Sequence, residues 1–303
     1  MRNRLPGFDY LEPRSVEDAL AVLNRLGPGA KPLAGGTDLL VAMRMKGARP
    51  KALVNLKTIP GLDAIETRRE GLYIGTLVTM QALADEPRLT DRFTCLSQAA
   101  GAVGSWQVRN RATIGGNLCN GAPSAETAPP LLVLGAKAHV AEPGGVRRHV
   151  DLDGFFRGPG ATECSAGKLL LGVEIPTPPE GMRSIYIKHS PRKAMDIAVV
   201  GVAAGLALHD GCRVREARIA LGAVAPVPLR AREAEAYLVD RLLTPEVARE
   251  AGRLAARSAK PISDVRASAE YRLEMIEVLV ARALMTLAGT EGVFERERDE
   301  TLG

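Results

Sequence analysis

This sequence of 303 residues has few aromatic side chains. They make up 4% of the chain, so there are few surfaces on which nucleic-acid bases could stack. The 40 basic residues and the net charge of +5 are spread along the chain and therefore do not indicate a nucleic-acid-binding protein. A solvated basic surface, or one that meets an acidic partner subunit, accounts for them.

Cysteine is also scarce, and its spacing excludes several kinds of site. Cys95, Cys119, Cys164 and Cys212 are far apart and form no C-x-x-C pair. The sequence therefore gives no sign of a zinc site or of an iron–sulfur cluster held by this chain. The histidines are separated too, without serine or cysteine partners in a recognisable arrangement. We expect no nucleophilic catalysis, no catalytic side chain and no metal site.

Long apolar runs are missing as well. No segment approaches the roughly 18 apolar residues that a bilayer-spanning helix needs, so no membrane span is expected. Residues 1–6 carry charge but have no apolar segment behind them, unlike a secretory signal. With the separated cysteines, this predicts a cytoplasmic protein whose thiols are reduced.

Helix and strand signals alternate with glycine and proline. Ser15 is expected to cap a helix that ends at Gly27. Residues 95–104 have helical composition, and residues 168–175 are expected to form a strand. Pro176, Pro178 and Pro179 end that strand and mark the predicted domain boundary.

Beyond the boundary, the pattern predicts a hairpin followed by helices. Apolar residues 198–208 and 212–224 flank His209-Asp210-Gly211, which is typical of a β-hairpin. Thr244 and Pro245 predict a helix start. The last helix carries one apolar stripe that should face the core, formed by Leu273, Ile276, Val280, Leu284 and Leu287.

Two pairs of adjacent glycines are the most informative feature that the sequence does contain. Gly35-Gly36 and Gly115-Gly116 each follow an apolar residue and precede a short polar one. Glycine has no Cβ, so its backbone can adopt positive φ and another group can approach it closely. Successive backbone amides in such a turn can bind an anion. Two such loops could hold the two phosphates of a dinucleotide, although either alone could be an ordinary turn.

Three segments together resemble the flavoprotein subunit of the molybdenum hydroxylases, the family of xanthine dehydrogenase and aerobic carbon monoxide dehydrogenase. They are residues 34–38, 107–117 and 169–176, and the resemblance extends over residues 5–288. The second segment, with its Arg-x-Arg-x-Thr-Ile-Gly-Gly-Asn pattern, is the most specific of the three.

The resemblance implies an α+β fold. A two-lobed FAD-binding domain of the vanillyl-alcohol-oxidase (PCMH) type is expected at residues 1–177, with lobes at 1–58 and 59–177. An α/β C-terminal domain with a small antiparallel sheet and helices is expected at residues 181–289, and a charged, solvated tail at 290–303.

The resemblance also implies a division of labour between chains. FAD is the expected cofactor here, and a small subunit is expected to hold the [2Fe-2S] clusters that supply its electrons. A large subunit would hold the molybdenum cofactor and select the substrate. The external acceptor could be NAD, a quinone or oxygen, and a dimer of heterotrimers is the expected assembly.

The resemblance assigns most cofactor contacts to the two glycine motifs, at Lys31, Pro32, Leu33, Ala34, Gly35, Gly36, Thr37, Asp38 and Leu39, and at Thr113, Ile114, Gly115, Gly116 and Asn117. Amides and hydroxyls of these residues can donate to phosphate oxygens. The Asp38 carboxylate would repel a phosphate, so it is expected to brace its loop or to meet a ribityl or ribose hydroxyl. Lys31 either offsets phosphate charge or is a solvated lysine.

Further assignments lie outside the glycine motifs. Glu126 stands where the family usually has an aspartate near the flavin or its adenosine end, and a surface acid is the alternative. Leu170 is an apolar contact, compatible with a core position. Lys188 is expected near the isoalloxazine ring, where a cation raises the flavin potential, or is an exposed strand lysine. Ile197 is expected against the ring. Trp106, which precedes the second glycine motif, is expected to be a packing anchor and not a stacking partner.

Two other functions remain open at this point. One is a self-contained FAD-dependent oxidase or dehydrogenase of the same superfold; no histidine adjoins either glycine pair for the covalent flavin link that such enzymes often have. The other is a flavin-free scaffold, which the intact glycine motifs disfavour.

Overall fold

A computed structural model describes residues 5–164, 167–192, 194–209 and 212–289. They form two compact units. Unit 1 comprises the described parts of Met1–Leu83, Ser105–Ala122 and Gly135–Thr177, and unit 2 those of Ala84–Gly104, Pro123–Leu134 and Pro178–Gly303. The predicted tail at 290–303 and the Asp210-Gly211 turn lie outside the described residues.

The strands are β1 (Asp9–Leu11), β2 (Ala30–Leu33), β3 (Ala52–Asn55), β4 (Ile65–Arg68), β5 (Gly71–Gly75), β6 (Lys137–Ala141), β7 (Arg147–Asp151), β8 (Phe156–Gly158), β9 (Ala161–Thr162), β10 (Leu169–Pro176), β11 (Arg183–His189), β12 (Val200–His209), β13 (Arg213–Gly222) and β14 (Leu229–Arg230). The α-helices are α1 (Val16–Leu26), α2 (Leu39–Met45), α3 (Met80–Asp85), α4 (Pro87–Arg92), α5 (Thr94–Gly101), α6 (Trp106–Arg109), α7 (Ile114–Cys119), α8 (Ala128–Val133), α9 (Arg232–Leu238), α10 (Pro245–Arg257) and α11 (Ala269–Ala288). Short 3-10 turns occupy Gly27–Gly29, Leu56–Thr58 and Leu152–Gly154.

Unit 1 contains a parallel sheet in the order β1-β3-β2 and a larger antiparallel sheet in the order β4-β5-β10-β6-β7. As predicted, Ser15 caps α1: its hydroxyl accepts the Asp18 amide at 3.0 Å, and Gly27 ends the helix with φ of 54°. Leu20 and Leu23 of α1 are buried in the core that includes β3. In the larger sheet β10 is central, and it extends through Pro176, which pairs with Gly71 at the end of the strand.

Unit 2 is built on an antiparallel sheet in the order β11-β12-β13-β14, covered by helices α9, α10 and α11. The predicted hairpin is confirmed as the β12–β13 pair. Thr244 caps α10 through the Val247 amide at 3.3 Å, as expected. The stripe predicted on the last helix is buried or half-buried in the core of this unit.

Two local expectations are corrected by the structure. Trp106 is not a packing anchor, because 60% of its surface is exposed; it begins the single-turn helix α6, which directs the ring outward beneath the Arg109 guanidinium. The second glycine pair is not a loop but lies inside α7, with neither glycine at positive φ. The pattern of helices with separate, mostly antiparallel sheets confirms the α+β class.

Among the described helices, none combines the length and the apolar character that crossing a bilayer requires. In the same residues, no group of three or more His, Cys, Asp or Glu side chains is placed to hold a metal ion.

Candidate functional site

The first glycine motif links the edge strand β2 to helix α2. Gly36 adopts φ of 78°, the left-handed region that favours glycine, and its carbonyl accepts the Leu40 amide at 3.0 Å. The backbone amides of Gly35, Gly36, Thr37 and Asp38 donate to no atom of the described residues. The loop therefore offers a group of consecutive N–H donors that the fold itself does not use, as an anion site requires.

The second glycine motif is arranged differently. Thr113 is the N-cap of α7, and its Oγ1 accepts the Gly116 amide at 3.1 Å. The amides of Ile114 and Gly115 donate to the carbonyls of Val78 and Thr76, at 3.0 and 2.9 Å. These donors are already used within unit 1, so this motif contributes something other than free amides.

The second glycine motif leaves open space beside its backbone, and this space lies at Gly116. A Cβ on Gly35 would lie 1.9 Å from the Arg111 carbonyl oxygen, and one on Gly115 would lie 1.8 Å from Thr76 Oγ1. Those two glycines are required by packing. A Cβ on Gly116 would meet only Thr113 Oγ1, at 3.1 Å, among the described atoms. Packing within the described residues therefore restricts position 116 less than positions 35 and 115.

The two motifs lie side by side in unit 1. The position of a Cβ on Gly35 is 1.9 Å from the Arg111 carbonyl oxygen and 3.1 Å from the Ala112 Cα, and these two residues directly precede Thr113. The sequence separates the glycine pairs by eighty positions, but folding places the first loop against the entry to α7. The convergence that a dinucleotide diphosphate requires is therefore present.

Charged side chains surround the first loop. Lys57 Nζ donates to the Ala34 carbonyl at 3.0 Å, and desolvation, with a further contribution from Arg111, lowers the pKa of Lys57. Desolvation raises the pKa of the Asp38 carboxyl, against the influence of Lys46. The Asp38 side chain still reaches solvent and accepts no hydrogen bond from the described part of the chain. It is thus free to accept one from a ligand hydroxyl.

Sequence reasoning missed Lys57. It lies in the turn after β3, more than twenty positions from the loop it contacts. No signal in the sequence indicated this contact. It follows from the parallel pairing of β2 and β3, with Leu33 opposite Asn55, which brings the residues after both strands to the same end of the sheet.

The remaining unit 1 candidates differ in accessibility. Lys31 and Pro32 are exposed on β2, and Leu39 and Asn117 are half-buried at α2 and α7. Leu170 is only 3% exposed and lies in β10 opposite Val140. Its side chain is part of the core, which leaves little of it for a cofactor to touch.

In unit 2, two candidates form an ion pair. Lys188 Nζ lies 2.9 Å from Glu126 Oε1 and also donates to the Ala102 carbonyl at 3.0 Å. Their side chains are only 10% and 12% exposed, so Lys188 is not an exposed strand lysine and Glu126 is not a surface acid. Beside them, burial raises the pKa of Tyr186 well above its ordinary range, with the Glu126 charge adding to the effect.

Ile197, also in unit 2, is available for contact. It is 46% exposed and follows Asp196, whose carboxylate accepts from Arg192 Nε at 3.2 Å. Met195, in the same loop, is 61% exposed and adopts φ of 55°. The loop therefore presents apolar side chains between charged ones.

The chain is similar to known families and to solved structures. The family described as "FAD binding domain in molybdopterin dehydrogenase" matches residues 6–178, and that described as "CO dehydrogenase flavoprotein C-terminal domain" matches residues 185–287. The xanthine dehydrogenase FAD-binding subunit of Escherichia coli O157:H7 is 33% identical over 94% of this chain and 98% of its own. The carbon monoxide dehydrogenase medium chain of Hydrogenophaga pseudoflava is 35% identical over 92% of this chain and 96% of its own.

Solved structures show the same relationship. A carbon monoxide dehydrogenase chain from Hydrogenophaga pseudoflava superposes with a TM-score of 0.90 at 33% identity, covering 95% of this chain and 99% of that one. A chain of quinoline 2-oxidoreductase from Pseudomonas putida 86 superposes with a TM-score of 0.88 at 31% identity, covering 95% of this chain and 99% of that one. The free amides at 35–38 and the open approach at Gly116 fit the diphosphate of FAD. The chain belongs to the family of FAD-binding medium subunits of the xanthine dehydrogenase and carbon monoxide dehydrogenase type, a family of oxidoreductase subunits with a PCMH-type FAD-binding domain, and FAD is its cofactor.

Proposed function

We propose that this chain carries FAD within a molybdenum hydroxylase complex and passes electrons from [2Fe-2S] clusters on a partner chain to an external acceptor. The observation that carries the proposal is the first glycine loop, with four unused amides packed against the entry to α7. Bound FAD supplies the electron-transfer chemistry, and the protein binds it, orients it and tunes its potential.

In this proposal residues 1–177 form the FAD-binding domain and residues 181–289 the C-terminal flavoprotein domain. The amides of Gly35, Gly36 and Thr37 donate to the diphosphate, and Gly116 lets it approach the α7 backbone. The Thr113 hydroxyl accepts the Gly116 amide and retains its own proton for donation to an oxygen. Asp38 accepts from a hydroxyl of the ribityl chain or ribose.

Two further residues act on the flavin ring in this proposal. Lys188, held by Glu126 and the Ala102 carbonyl, supplies a cation whose position is set by buried partners. Ile197 supplies an apolar contact. The pairing with Glu126 offsets part of the Lys188 charge, so the two residues together set the electrostatic influence on the ring.

The proposed partners follow from the relatives. They include medium chains of carbon monoxide dehydrogenase and a nicotine 6-hydroxylase medium subunit, whose names imply further subunits. For this chain we propose a large subunit with the molybdenum cofactor, a small subunit with two [2Fe-2S] clusters, a dimer of such heterotrimers, and a cytoplasmic location. NAD, a quinone or oxygen would be the acceptor.

The decisive experiment is purification of the chain from its native source without dissociating its partners. We expect flavin absorbance near one FAD per chain, with two copurifying chains that account for bound molybdenum and iron. A flavin-free chain would contradict FAD binding. A chain that holds FAD but copurifies with neither partner, and oxidises a substrate by itself, would instead indicate a self-contained oxidase.

A further inference from the structure

Lys57 lies in a hydrogen-bonded turn beside the first glycine loop. Its backbone amide donates to Asn55 Oδ1 at 3.2 Å, and the next residue, Thr58, donates its hydroxyl to the Pro13 carbonyl at 2.6 Å. The turn is therefore held by the backbone amide of Lys57 itself and by the side chain of Thr58. The ammonium group reaches from this base to the Ala34 carbonyl, 3.0 Å away.

This contact fixes the direction of the Gly35 amide, the first amide of the loop. In a trans peptide the C=O and the N–H point in opposite directions. Because Lys57 holds the Ala34 carbonyl, the amide of Gly35, which belongs to the same peptide group, must point away from Lys57. Gly35 begins the run of amides that find no acceptor among the described residues. Lys57 thus fixes the first member of the proposed donor set.

The charge at this position also favours an anion. Arg111, whose carbonyl touches Gly35, lies near enough for its charge to lower the pKa of Lys57, and Glu12 is the acid that acts in the other direction. Lys57 and Arg111 are thus close enough for their positive charges to repel each other, and Lys46 is a further cation that acts on Asp38 of the loop. A diphosphate would relieve the repulsion between the cations.

We propose that Lys57 is a positioning residue for the FAD diphosphate: it holds the Ala34–Gly35 peptide so that the loop amides face the ligand, and with Arg111 it supplies positive charge to the site. The inference rests on the proposed function, because it assumes that the diphosphate lies at this loop.

The test compares FAD and riboflavin, which lacks the diphosphate, on the full chain freed of flavin. Lys57→Met is expected to weaken FAD binding about tenfold or more and to leave riboflavin binding unchanged, since the lost bond orients donors to a charged group. Lys57→Arg, which keeps a donor and a charge, should retain binding within about threefold of the native chain. Lys137→Met, at an exposed position of β6, is the control and should behave as native.

Ionic strength separates this role from a purely structural one. Added KCl should weaken FAD binding by the native chain more than by the Lys57→Met variant, because the variant has lost a charge that salt screens. If the variant binds FAD as the native chain does at every KCl concentration, the inference is wrong. It is also wrong if the variant loses thermal stability and binds both flavins equally poorly. A native chain that binds neither flavin would instead overturn the proposed function.

Discussion

Lys188 Nζ lies 2.9 Å from Glu126 Oε1; both residues belong to unit 2, and both side chains are about nine-tenths buried. The resemblance to the flavoprotein subunits places each residue near the cofactor separately. The structure shows that the two side chains form an ion pair, and that Lys188 Nζ also donates to the Ala102 carbonyl. Burial makes each charge dependent on the other, since an unpaired charge in this environment is costly.

We expect Glu126→Gln and Lys188→Met each to destabilise unit 2 by about 3–5 kcal/mol, because each leaves an uncompensated buried charge. The double variant should recover much of that loss. Denaturant unfolding of the native chain, the two single variants and the double variant gives the coupling free energy of the pair as a double-mutant cycle. Glu250→Gln is the matched control: Glu250 pairs with Arg253 at 2.8 Å on the exposed face of α10, and its loss should cost less than about 1 kcal/mol. Additive single effects would show that the buried pair is not coupled.

The same pair should move the flavin potential in opposite directions. Lys188→Ala is expected to lower the potential of the FAD-loaded chain while leaving occupancy mostly intact, because it removes the cation and leaves the Glu126 carboxylate. Glu126→Gln should raise the potential, because the cation is then uncompensated. Potentiometric titration below the unfolding temperature of each variant provides the measurement. No change in Lys188→Ala would remove Lys188 from the flavin site.

Substitutions at Gly116 and Gly115 should have different effects, the first on FAD binding and the second on stability. Gly116→Trp is expected to abolish FAD binding while the flavin-free chain still folds, because a Cβ at 116 meets only the Thr113 hydroxyl among the described atoms. Gly115→Ala should destabilise the chain by about 1–3 kcal/mol or more, because its Cβ would overlap Thr76 Oγ1. Flavin fluorescence and thermal unfolding distinguish the two effects. Full FAD occupancy in Gly116→Trp would show that the diphosphate lies elsewhere.

A histidine pair on the larger sheet of unit 1 predicts a pH effect. The His139 and His149 rings stack with centroids 4.0 Å apart, and His139 Nε2 lies 2.8 Å from Glu174 Oε2. Burial, and then the charge of His149, lowers the pKa of His139; Glu174 opposes this, and Arg68 adds to the lowering. A lowered pKa in the folded state means that the unfolded chain binds the proton more readily.

The free energy of unfolding should therefore fall as the pH falls from about 7.5 to about 5.5, through the ordinary histidine range and toward the lowered pKa. His149→Gln removes one charge that disfavours protonation, so it should raise the pKa of His139 and reduce this loss. An NMR titration of the His139 ring and unfolding at both pH values provide the test. An unchanged His139 pKa in the variant would exclude His149 as a cause.

Local signals in the sequence were reliable where the cause was itself local. Ser15 and Thr244 cap their helices because a hydroxyl needs only the amide three positions ahead. The β12–β13 hairpin follows from two apolar runs around a turn signal. The prediction for Trp106 was wrong because its orientation is not a local property. A single large apolar residue does not reveal whether its helix turns the side chain toward the core or toward solvent.

The sequence alone was enough to reveal the glycine motifs and the resemblance to the family, because both depend on residue types and spacing along the chain, and the resemblance in turn implied the α+β class. Only the tertiary structure decided how the motifs divide their roles. The unused amides at 35–38, the packing that requires glycine at 35 and 115 but not at 116, and the reach of Lys57 to Ala34 all depend on distances between remote segments. The same is true of Lys188 and Glu126, since burial and pairing arise only when the chain encloses both.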